Sequence, residues 1–79
     1  MATNMTFKYD READILYINK LPAYPQQETE ELGDDVIARL NPKTGDVENL
    51  EVLFFSTRLL RGDVIELPLS VDLHLLATG

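Results

Sequence analysis

A chain of 79 residues without cysteine makes one domain, 1–79, with no disulfides or thiolate metal sites, and at this size it buries only about 60% of the surface its unfolded form exposes. Fourteen acids stand against seven bases, a formal net charge of −7, and the bases (Lys8, Arg11, Lys20, Arg39, Lys43, Arg58, Arg61) are scattered singly, which excludes the clustered cation that nucleic acid binding requires. No apolar run approaches the ~20 residues of a membrane span, and the opening Met-Ala-Thr-Asn-Met-Thr lacks a basic region followed by an apolar core, so a soluble cytoplasmic protein is expected.

Met5, Phe7 and Tyr9 alternate with Thr6 and Lys8, the period of a strand with one buried face. Asp10 to Ala13 turn the chain into residues 14 to 20, which are apolar at Ile15 and Tyr17 and again at Leu16 and Ile18. That pattern predicts a central strand covered on both sides. Leu21 to Pro25, with two prolines, reads as a loop. Gln27 to Leu32 reads as a short polar edge strand, whose acids discourage other sheets from stacking on its free backbone groups.

Gly33-Asp34-Asp35 turns into Val36 to Leu40, with Val36, Ala38 and Leu40 on one face. In Asn41-Pro42-Lys43-Thr44-Gly45-Asp46, Pro42 presets φ for a type I turn and Gly45 supplies the positive φ that closes a hairpin. The returning strand, Val47 to Phe55, places Leu50, Val52 and Phe54 on one face and Glu51, Leu53 and Phe55 on the other, with Asn49 at a bulge. Ser56 to Gly62 predicts one or two helical turns with a hydroxyl cap at the start and Gly at the end. Val64 to Leu67 reads as a short strand stopped by Pro68, and Val71, Leu73 and Leu75 alternate like another, although that last segment fits a helix equally well. The expected fold class is α+β: a predominantly antiparallel β-meander of about five strands (5–55), then a short helix and an apolar C-terminal segment (56–79).

Tyr9, Asp10, Glu12, Ala13, Asp14, Leu16, Tyr17 and Ile18 resemble the Tyr-Asp-x-Glu-(Ala/Ser)-Asp-x-Leu-Tyr-Ile element of a small bacterial family known as domain of unknown function 2283. The likeness continues through the acidic Glu28, Thr29, Glu30 and Glu31, the pair Val36 and Ile37, Gly45, and Leu50 to Leu53. Two departures stand out: family members tend to have Gly where Asn49 stands, and Asn-Ala-Ser where this chain has Phe54-Phe55-Ser56. The family has no established activity, so the resemblance implies architecture and no mechanism. Relatives of this kind are sometimes encoded beside small toxin-like proteins, which implies an antitoxin-like role with a protein partner.

Asp10, Glu12 and Asp14 are spaced like the start of a calcium loop, but the sixth and twelfth positions hold Ile15 and Leu21 in place of the required Gly and bidentate acid. The structural account has Asp10 capping the turn while Glu12 and Asp14 are solvated or pair with Lys8 or Arg11. His74, the single histidine, has no sequence partner for nucleophilic catalysis or zinc and reads as the rim of an apolar segment. The sequence predicts no catalytic residue, metal site or cofactor. Its surplus is apolar: thirteen residues between Leu53 and Leu76 exceed what one side of a small sheet covers. They either meet another chain or fold back as the second layer of the core.

The function expected is that of a non-enzymatic interaction module, a homodimer able to bind another protein, with Glu28, Glu30, Glu31, Phe54, Phe55, Leu59 and Leu60 facing partners. The alternative is a small hydrolase using acidic residues, with or without a metal.

Overall fold

The computed structural model describes residues 4–76, so expectations for 1–3 and 77–79 lie outside the described residues. Five strands, β1 (Thr6–Asp10), β2 (Ile15–Asn19), β3 (Glu28–Gly33), β4 (Val36–Leu40) and β5 (Val47–Leu53), precede one helix, α1 (Phe55–Arg61). They form one antiparallel sheet in the order β1-β2-β5-β4-β3. The α+β class and the five antiparallel strands are as the sequence predicts. Two hairpin-linked runs, β1-β2 and β3-β4-β5, are closed into one sheet by pairing β2 with β5, and residues 20–27 carry the chain between them.

Turn chemistry accounts for the hairpins. Asp10 Oδ1 accepts the backbone N–H groups of Glu12 (3.1 Å) and Ala13 (3.2 Å), as an Asx turn does. Between β3 and β4 both Asp34 (φ 51°) and Asp35 (φ 59°) are left-handed, the primed two-residue turn whose twist matches the strands it joins. In the next turn Asn41 Oδ1 accepts from Lys43 (2.8 Å) and Thr44 (3.1 Å), and Gly45 takes the expected positive φ, 78°. The expected irregularity on β5 is present. Arg39 pairs with Asn49 while Leu40 pairs with Val47, so the additional residue is Glu48, and Asn49 stays outside the left-handed region.

One face of the sheet makes the core. Val52 lies between Leu16 and Val36, and Leu50 between Ile18 and Ala38. Among the described residues the buried apolar ones are Val36, Ala38, Leu50 and Val52, with Phe55, Ile65, Leu67 and Leu69 among those packed against them. The opposite face is polar. Tyr17 pairs with Lys8 and Glu51, and Asn19 with Thr6 and Asn49. This corrects the double-sided cover expected for residues 14–20: every residue of β2 is half-buried, and of its second apolar set Tyr17 pairs with Lys8 and Glu51 while Ile15 pairs with Asp10 and Leu53.

Three further corrections concern the second half. The strand expected to reach Phe55 ends at Leu53, because Phe54 turns into the left-handed region (φ 53°) and Phe55 opens α1. Phe54 therefore leaves the face of Leu50 and Val52 and is 58% exposed. The cap predicted at Ser56 is absent from that position; Phe54 is the cap residue and makes no side-chain cap bond. Gly62 closes the helix as predicted, left-handed at φ 69°, with its N–H on Leu59 O and that of Asp63 on Arg58 O. Residues 63–76 form neither strand nor helix. Pro68 has no N–H for a ladder, and Leu69 N–H bonds Leu67 O at 2.7 Å across it in a tight turn.

Candidate functional site

The family-like corner is a structural joint. Asp14, left-handed at φ 58°, ends the β1–β2 turn and turns its carboxylate to α1. Its Oδ1 accepts the Tyr9 hydroxyl (2.6 Å) and the Ser56 N–H (2.9 Å), its Oδ2 accepts the Ser56 hydroxyl (2.7 Å), and its carbonyl accepts the Phe55 N–H (3.1 Å). The remote Asp14 thus satisfies two helix N–H groups that the local sequence leaves open, that of Ser56 through its carboxylate and that of Phe55 through its carbonyl. The Tyr9 bond, then the two from Ser56, hold the Asp14 carboxyl below its ordinary pKa, and the same bond to Asp14 raises the Tyr9 phenol. Pairing of Asp14 with Lys8 or Arg11 is thereby corrected, while Asp10 caps the turn as predicted.

A second joint, unread in the sequence, sits at the β5 bulge. Glu48 is buried there; its Oε1 accepts from Tyr24 Oη (2.6 Å) and Gln27 Nε2 (3.0 Å), and its Oε2 from Asn41 Nδ2 (3.1 Å). Asn49, 4% exposed, accepts from Gln27 Nε2 (2.7 Å) and donates to Asn19 Oδ1 (2.9 Å) and Leu21 O (2.6 Å). The bond from Tyr24, then that from Gln27, lower the Glu48 carboxyl, and Glu48 raises Tyr24. Among the described residues no buried side-chain nitrogen or oxygen lacks a hydrogen-bond partner, and this network ties the 20–27 loop to the sheet. A polar pair at the start of a central strand, Glu48-Asn49, was the available signal for it.

Arg58 is 5% exposed and reaches from α1 to the β3–β4 turn, where Nη1 meets Asp34 Oδ2 at 3.3 Å and Nη2 donates to the Asp34 carbonyl. On the polar face, Arg39 Nε donates to Glu51 Oε2 at 2.8 Å. Among the described residues no group of three or more His, Cys, Asp or Glu is placed to hold a metal ion. His74 lies in the 63–76 segment beside Asp72, 3.1 Å away, with its side chain 80% exposed.

The acidic candidates Glu28, Glu30 and Glu31 are all exposed on edge strand β3 but do not share a face. Glu30 pairs with Ala38 of the core face, and Glu31 with Ile37 of the polar face. Of the apolar candidates, Phe54, Leu59 and Leu60 are exposed, whereas Phe55 is partly buried against the core and sits 5.7 Å from the Tyr9 ring. Sequence reasoning missed a further apolar set at the opposite edge: Met5 and Phe7, with Ile18, Leu50, Val71 and Leu73, line a half-open groove of about 330 Å³. Met5 and Phe7 read as core by their alternation, and their exposure follows from β1 being an edge.

No helix is long and apolar enough to cross a membrane among the described residues. No curated protein and no solved structure matches the chain. The sequence pattern described as "Protein of unknown function (DUF2283)" matches residues 6–56, which spans both joints and the whole sheet. With more than half of its length matched, the chain belongs to that family.

Proposed function

We propose that the protein is a non-enzymatic, antitoxin-like interaction module that works as a homodimer in the bacterial cytoplasm, its acidic β3 edge left free for a basic protein partner. The observation that carries this reading is surface. The chain exposes 6315 Å², whereas a compact monomer of 9.0 kDa exposes about 4,900 Å². A core of four buried apolar residues gives the same direction, since the chain has neither disulfide nor thiolate metal site to make up the difference.

The acids support a binding role better than a hydrolytic one, because Asp14 and Glu48 are committed to structural bonds. Calorimetry at a series of protein concentrations tests the reading. Unfolding linked to dissociation raises the melting temperature with concentration, and a melting temperature that does not move contradicts it.

A further inference from the structure

The two edges of the sheet differ in what they can meet. β3 carries Glu28, Glu30 and Glu31 in a chain of net charge −7, so two copies repel one another there. β1, at the far edge, carries one base and one acid in Thr6–Asp10 and presents Phe7 at 63% exposure, flanked by Met5 and Tyr9.

The C-terminal segment adds to the same side. Ile65, Leu67 and Leu69 alternate onto the core, and the alternation continues through Val71, Leu73 and Leu75, which are 64%, 74% and 99% exposed. Half of one stripe is covered by its own sheet and half is not. Val71 and Leu73 nevertheless line the groove that holds Met5 and Phe7, with Lys20 and Asp72 at the same groove, so the uncovered part of the stripe and the charge-balanced edge share one largely apolar surface.

Resting on the homodimer reading, we propose that the occupant of this surface is a second copy of the chain. The two β1 edges pair antiparallel, so that the sheet runs on from one copy into the other, and Phe7, Val71 and Leu73 meet the same surface of the partner. The arrangement is isologous, as a two-fold axis demands. Centred on Phe7, it sets Lys8 opposite Thr6 of the partner subunit and keeps like charges apart. It also leaves the acidic β3 edges outermost on both copies.

The test has two parts on the full chain. Native mass is measured for the wild type, for Phe7→Glu combined with Leu73→Glu, and for Glu30→Gln as the control on the other edge. Hydrogen exchange then follows the amides of residues 6–10 in the wild type. Phe7 and Leu73 are exposed in the single chain, so the double variant is expected to dissociate at least about tenfold more readily, with Glu30→Gln unchanged and the outward β1 amides slow to exchange. A double variant as dimeric as the wild type, or outward β1 amides exchanging freely within a wild-type dimer, overturns this interface and leaves the homodimer reading standing. A monomeric wild type removes both. Should the double variant unfold, the exchange of the wild-type amides decides.

Discussion

Asp14 and Ser56, 42 positions apart, are joined twice, through the Ser56 N–H at 2.9 Å and its hydroxyl at 2.7 Å. The joint fastens the β1–β2 corner to the first turn of α1, so an acid spaced like a calcium ligand works as a helix cap. Asp14→Ala is expected to lower the urea midpoint more than Glu12→Ala does, since Glu12 is exposed whereas the Asp14 carboxylate accepts from Tyr9 and twice from Ser56. Ser56→Ala, which removes the hydroxyl alone, is expected to cost about 1 kcal/mol. Equal midpoints for Asp14→Ala and Glu12→Ala would remove the cap from the account.

Acid should weaken the fold through the same joints. Asp14 and Glu48 are held below their ordinary values of 3.8 and 4.5. As pH falls, the unfolded chain therefore binds protons before the native one can, and stability drops. Tyr9 and Tyr24, raised above 10.0, act with the opposite sign: their contribution is complete below that value and is lost as pH rises through the folded-state values. The stability gap between wild type and Glu48→Gln should be widest at neutral pH and should narrow as pH falls below 4.5 and through the lower folded-state value. Urea titrations at several pH values measure it, and a gap independent of pH in the acid range contradicts the assignment.

Core truncations should rank by burial. Leu50, 7% exposed, is expected to cost about 2–5 kcal/mol as Leu50→Ala. Leu16 is only half-buried, so Leu16→Ala should fall clearly short of that value. The reverse order in chemical denaturation would place the core elsewhere.

Phe54 holds a left-handed backbone with its ring 58% exposed. Bulky side chains disfavour that region, and Asn tolerates it. Phe54→Asn should therefore stabilise the chain by about 1 kcal/mol, read from the urea midpoint. A loss of stability would show that the ring is anchored, and the anchor would then belong to the assembled protein.

Much of the fold was legible because local chemistry fixed it. Asn41, Pro42 and Gly45 announce their turn, Gly62 ends its helix, and the acids of Glu28–Glu31 mark an edge. Harder to read was whatever depends on distant partners. Nothing local to Val47–Leu53 says that β2 lies beside it, and the Glu48 network exists only once Tyr24 and Gln27 arrive from the 20–27 loop. Phe54 and Ser56 were misplaced for the same reason, since the cap of α1 comes from Asp14. The candidate partner-facing residues were half legible. Their hydrophobicity or charge is plain in sequence, but only register shows that Glu30 and Glu31 face opposite ways and that Met5 and Phe7 are exposed.

The most direct test of the central claim is the native mass of the wild-type chain by light scattering at ~100 μM, where an obligate pair is fully assembled. The account predicts twice the 9.0 kDa of one chain; a species of 9.0 kDa that stays folded would contradict it.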